Sequence, residues 1–172
     1  QYIQVMSTVP PRCSTEAFYG VDVILYVPKG TYEAYQQAEG WSSFSNIIDG
    51  EPIPDFTVNG LTYHQLSNTT VSLIDGTSAN GDVSIPETVR YNDVYYTVTE
   101  IGDTAFYQCA NLVSVIIPKS VTNVASKAFF ECTGLKHVEI ADGDTPLSFK
   151  DNYQFWTSPL DSAYIGRDLD FQ

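Results

Sequence analysis

Ile101-Gly-Asp-Thr-Ala-Phe-Tyr-Gln-Cys-Ala-Asn-Leu-Val-Ser-Val-Ile-Ile117 is followed, 23 residues on, by Val124-Ala-Ser-Lys-Ala-Phe-Phe-Glu-Cys-Thr-Gly-Leu-Lys-His-Val-Glu-Ile140. Phe106 recurs as Phe129, Cys109 as Cys132, Leu112 as Leu135, Val115 as Val138 and Ile117 as Ile140, while the positions between them change freely. An apolar set with a fixed period in the twenties and one Leu-x-x-Val-x-Ile strand per period predicts a solenoid, in which neighbouring coils complete one another's core. These ten residues are the expected core. Phe18, in an earlier Ala17-Phe18 pair before Leu25-Tyr-Val-Pro28, belongs to a degenerate copy of the same unit. Repeats of this kind usually bind and seldom catalyse.

Outward from the repeats, the chain has 172 residues, 43% of them apolar, enough for one ordinary domain or two small ones with a core of their own. Eight Lys and Arg against 21 Asp and Glu give a net charge of −13, which repels phosphate backbones and anionic lipid. Nucleic acid and membrane surfaces are therefore poor partners. No apolar run reaches the roughly 18 to 20 residues needed to span a bilayer, so membrane insertion is not expected. The three cysteines make no Cys-x-x-Cys pair. Cys109 and Cys132 fall on equivalent repeat positions, either as buried thiols or as a bridge if their Cα atoms lie within about 7 Å.

The pass along the chain divides it into four stretches. Residues 1–48 read as the last repeat of one array, closed by a short helix. In that helix Thr31 is placed to cap, Glu33 lies in the first turn and Gly40 stands at the stop, and Trp41, Phe44 and Ile47 follow as a plug. Residues 49–55, Asp-Gly-Glu-Pro-Ile-Pro-Asp, have linker composition. Residues 56–100 form a β-rich cap, with hairpins turning at Asn59-Gly60 and Asn92-Asp93. Residues 101–172 carry the repeats, looser after Ile140. The chain reads as cut from something longer at both ends.

The consensus Ile-Gly-x-x-Ala-Phe-x-x-Cys-x-x-Leu-x-x-Val-x-Ile-Pro resembles the BspA-like leucine-rich repeat of bacterial surface proteins. Gly40-Trp41 and Phe44-Ser-Asn-Ile47 resemble the closing segment of such an array. Gly81-Asp-Val-Ser-Ile-Pro86 resembles the opening of another, and Tyr164-Ile-Gly-Arg167 a variant strand. The resemblance implies a mainly β fold with short helical turns: a right-handed leucine-rich-repeat solenoid of 23-residue repeats with a β-hairpin cap. It further implies a secreted or cell-surface protein, in a family with no common catalytic residues and with some members associated with adhesion to host matrix proteins.

Candidates for chemistry are few. His64 lies on the opening hairpin and His137 on a repeat strand, with no nucleophile identifiable beside either, and no metal site or cofactor is expected. Asp142-Gly-Asp144 has the spacing of a calcium loop's first ligands but lacks the later ones. Between the inward positions of successive strands lie Tyr26, Ser84, Ile116, Glu139 and Tyr164, which alternation sends to the outer face. This row is the candidate ligand-binding surface of a non-enzymatic adhesion module. Its expected partner is a host or matrix protein; a glycan, or a stalk with no ligand, are the alternatives. Uncapped solenoid ends also allow an end-to-end dimer.

Overall fold

The computed structural model describes residues 1–151 and 153–172. They form two compact units, one of residues 1–54 with 65–68 and the other of residues 55–64 with 69–172.

The first unit holds strands β1 (Tyr2–Gln4), β2 (Ile24–Val27) and β3 (Ile47–Asp49), with helix α1 (Tyr32–Gln37) between the last two. The strands make a parallel sheet in the order β1-β2-β3, with partners 22 residues apart (Leu25 beside Ile47). Leu25, Val27, Tyr35, Trp41, Phe44 and Ile47 form its core, and Phe18 packs half-buried against Trp41 and Phe44 with ring centroids 5.1 and 4.9 Å away. Polar atoms of the plug are anchored as well: Tyr35 Oη donates to the Ser7 carbonyl and Trp41 Nε1 to the Pro11 carbonyl, both at 2.7 Å. Thr31 does not cap the helix with its side chain; its hydroxyl donates to the Pro28 carbonyl at 2.7 Å. Asp49 Oδ1 instead accepts the N–H groups of Gly30 and Thr31 at 2.7 and 3.2 Å, a placement set by the following strand.

Tyr26 corrects the expectation of an outward side chain. It is 3% exposed, with its hydroxyl 3.3 Å from Gln65 Oε1 and the Tyr2 ring edge-on at 5.4 Å. Alternation does place it opposite Leu25 and Val27, but the outer surface of β2 is itself covered.

The second unit holds β4 (Phe56–Val58), β5 (Leu61–Gln65, whose last residue belongs to the first unit), β6 (Thr70–Asp75), β7 (Gly81–Ser84), β8 (Thr88–Tyr91), β9 (Val94–Ile101), β10 (Leu112–Ile117), β11 (Asn123–Val124), β12 (His137–Ile140), β13 (Leu147–Phe149), β14 (Ser162–Ile165) and β15 (Leu169–Phe171). Both hairpins turn where expected. Asn59 and Gly60 have φ of 51° and 81°, Asn92 and Asp93 of 46° and 64°, the doubly left-handed turn that matches strand twist.

From β9 on, the chain winds between two sheets. One has the order β14-β12-β10-β7, all parallel, and the other runs β15-β13-β11-β9-β6-β5-β4. Ser114 pairs with His137 and Glu100 with Asn123, each 23 residues on, whereas the last coil stretches the step to 25 at His137–Ser162. Inward side chains of the two sheets meet in the core: Leu112, Val115, Ile117, Val138 and Ile140 from one, Ile101, Val124, Leu147 and Phe149 from the other.

The turns between the sheets carry the Ala-Phe-x-x-Cys part of the repeat. Phe106, Phe129 and Phe155 stack coil on coil, with centroids 5.0 and 5.4 Å apart and interplanar angles of 9° and 12°. Thr104 and Lys127, then Gln108, Glu131 and Thr157, are left-handed residues at equivalent places. This alternation turns main-chain N–H groups toward the next coil: Thr104 to Ser126, Phe106 to Ala128 and Gln108 to Phe130, at 2.7 to 3.0 Å. A turn with no sheet or helix of its own thus satisfies its buried main chain. Cys109 and Cys132 are free thiols, donating to the carbonyls of Gly76 and Phe106 at 3.4 and 2.9 Å. Leu135 lies fully buried in the same wall.

Arg167, buried at the turn after β14, spans three coils. Its guanidinium donates to the carbonyls of Pro118 and Lys119 at 3.0 and 2.9 Å and to Thr145 at 3.4 Å.

Candidate functional site

The outer face of the β14-β12-β10-β7 sheet gathers four of the five candidates. Ser84 pairs with Ile116, Ile116 with Glu139, and Glu139 with Tyr164, so the four side chains stand in one row across four strands. At a strand spacing of about 4.8 Å the row is roughly 14 Å long. Ser84, Glu139 and Tyr164 are exposed and Ile116 is half-buried. Tyr26 lies in a different sheet, in the first unit, and is no part of this row.

A second row runs beside the first. Asp82, Ser114, His137 and Ser162 are register partners on the same four strands. They bond in pairs, Ser114 Oγ donating to Asp82 Oδ1 at 2.6 Å and His137 Nδ1 lying 2.6 Å from Ser162 Oγ. Sequence reasoning missed this row, although the 23-residue step from Ser114 to His137 was the signal for it. A serine does stand beside His137, one coil away, contrary to expectation. Asp82, the carboxylate of that row, is engaged by Ser114 two strands from Ser162, so the constellation is a hydrogen-bonded surface rather than a relay onto a nucleophile. His64 pairs with Asp55 at 2.7 Å on the exposed opening hairpin. Among the described residues no three His, Cys, Asp or Glu side chains converge.

The two rows, Ser84 apart, floor a shallow groove of about 310 Å³. Tyr164 Oη donates to Asp142 Oδ1 at 2.7 Å, so the first acid of the Asp142-Gly-Asp144 turn is committed to the face. That bond to a carboxylate holds the Tyr164 phenol above its ordinary pKa and keeps it protonated. The groove therefore offers carboxylates at Asp82 and Glu139, small hydroxyls at Ser114 and Ser162, the His137 imidazole, and one apolar and one aromatic surface at Ile116 and Tyr164. At the other end of this unit an apolar groove of about 450 Å³ lies among Ile140, Phe149, Phe155, Ile165 and Phe171, beside the unpaired edges of β14 and β15.

A family profile for the BspA type leucine-rich repeat region, six copies long, matches residues 83–170, just over half of the chain. The chain belongs to the BspA-type leucine-rich repeat family. This solenoid family is typically non-catalytic. The BspA-type chain is similar in structure to a leucine rich cell surface protein from Faecalibacterium prausnitzii A2-165. The TM-score is 0.52 at 27% identity, over 59% of this chain and 27% of that protein. A leucine-rich repeat protein from Bacteroides ovatus ATCC 8483 gives 0.53 at 27% identity, over 65% of this chain and 30% of that one. A third, from Bacteroides capillosus ATCC 29799, shares the fold at 22% identity and a TM-score of 0.50, over 64% and 96% of the two chains. The BspA-type chain thus spans less than a third of the Faecalibacterium and B. ovatus proteins. No curated protein matches it.

Proposed function

We propose that this BspA-type chain is a non-enzymatic, extracellular binding module that presents the β14-β12-β10-β7 face to a host or matrix protein. The observation that carries the reading is the in-register row Ser84, Ile116, Glu139 and Tyr164, four positions that the repeat's core leaves free. A row of unlike side chains on a rigid sheet can change its chemistry without disturbing the coil beneath. The cell-surface description of the Faecalibacterium relative supports an extracellular setting.

Interferometry of the whole chain against a panel of matrix proteins and mucins tests the reading. Binding should be reduced at least tenfold by the triple change Ile116→Lys, Glu139→Lys and Tyr164→Ala, with the circular dichroism spectrum unchanged. Binding that is absent throughout leaves the stalk, and binding indifferent to these changes places the ligand off this face. A glycan reading draws on the exposed Tyr164 ring beside the Asp142 carboxylate, an aromatic surface with a hydrogen-bonding edge. A glycan array tells it apart from protein binding.

A further inference from the structure

Strand β7 is the end strand of its sheet and pairs with β10 on one side only. The N–H groups of Gly81 and Ile85 bond to the carbonyls of Asn111 and Ile116 on that side, at 2.8 and 3.0 Å. Successive residues of a strand direct their main-chain groups to alternate edges, so those of Asp82 and Ser84 point away from β10. That edge borders a groove of about 360 Å³, lined on the strand side by Asp82, Val83 and Ser84 and across from it by Asn59, Gly60 and Tyr63. The opposite wall is held in place, since Ser78 Oγ donates to the Gly60 carbonyl at 3.2 Å.

Charge shows what the groove is suited to take. Its inner wall is closed by Tyr63, which is 0% exposed and whose hydroxyl has no hydrogen-bond partner among the described residues. Burial pushes the Tyr63 phenol up to about 12, so it remains a donor at physiological pH. Among the described residues Asp82 is the only charged side chain lining the groove, in a chain of net charge −13. An unpaired strand edge is a template for another strand, and a carboxylate on the edge favours a cation directly across from it.

We propose that the open edge of β7 captures an extended segment of a protein partner as an added strand, with a lysine or arginine of that segment against Asp82. This deepens the binding-module reading and rests on it. Panning a random-peptide phage library on the whole chain should enrich sequences that alternate β-branched residues and carry a Lys or Arg. Synthetic peptides of the enriched consensus should protect the amides of Asp82 and Ser84 from hydrogen exchange.

Ser84→Pro removes only an N–H that β10 does not use, and edge strands tolerate proline. It should weaken the peptides at least tenfold, while Asp82→Asn selectively weakens those with Lys or Arg. No enrichment, unchanged exchange at residues 82 and 84, or equal binding by Ser84→Pro overturns the proposal. The exchange measurement decides the matter even if the proline variant is poorly folded. Matrix binding that depends on Ile116 and Tyr164 while the β7 amides stay unprotected would sink the edge and leave the face standing. Peptide capture at β7 with an indifferent face would do the reverse.

Discussion

Replacing Phe129 by leucine should cost more than the same change at Phe106, although both rings are fully buried at equivalent places in successive repeats. Leucine keeps most of the buried apolar surface and removes the flat face. Phe129 lies between Phe106 and Phe155, at 5.0 and 5.4 Å, and so loses two stacked contacts. Phe106 loses one, because its other neighbour is Gly76, so close that a Cβ there would come within 2.3 Å of the ring. An aromatic pair contributes about 0.5–1.5 kcal/mol beyond area burial. Adding a repacking cost of about 1 kcal/mol puts Phe129→Leu at roughly 2–4 kcal/mol and Phe106→Leu at roughly 1.5–2.5. Phe129→Ala, which also opens a cavity, should reach about 3–5 kcal/mol. Urea unfolding followed by far-ultraviolet circular dichroism measures all three. In a repeat array the coils beyond the lesion can detach first, which would appear as a smaller m-value for Phe129→Ala. Equal losses for the two leucine variants would refute the argument that the ladder, rather than each ring's own burial, holds the turns together.

Other expectations follow from single side chains. Arg167→Met leaves the Pro118 and Lys119 carbonyls without their donor and should cost at least about 2 kcal/mol, read as a lower melting temperature; an unchanged melt would dismiss the cross-coil clamp. A thiol reagent applied to native protein should label Cys13 well before Cys109 and Cys132. The Cys132 thiol beside it and burial hold the Cys109 thiol far above its ordinary pKa, so rapid labelling of all three would contradict the packing. Burial raises the Tyr63 phenol from 10.0 to about 12, so the folded state holds this proton where the unfolded state has lost it. The stability it brings is complete below pH 10 and is lost as pH rises through 12, and Tyr63→Phe should remove that part of the alkaline fall.

Much of the coil was legible because burial and period coincide. Leu112, Val115 and Ile117 announce a strand with one face in, and their echo at Leu135, Val138 and Ile140 announces its neighbour. The two Asn-led hairpin turns were readable for a similar reason, since few residues accept both left-handed positions. Tyr26 was not legible. Alternation says which side of β2 it occupies, but Gln65, 39 residues later, decides whether that side meets water. The helix start failed likewise, since the acceptor at Gly30 and Thr31 comes from Asp49 rather than from the neighbouring hydroxyl. Of the face, the positions could be anticipated, whereas the His137–Ser162 contact depended on the stretched 25-residue step of the last coil.

The hydrogen bonds that link coil to coil, in both sheets and in the turns around Phe106 and Phe129, all run along the direction in which coils stack. A pull along that direction loads them one layer at a time instead of shearing many strands at once. The repeats should therefore yield as a series of small ruptures, each releasing a coil of 23 residues or about 80 Å of slack at roughly 3.5 Å per residue. Under such a load the repeats should lengthen in steps and re-wind when the load falls.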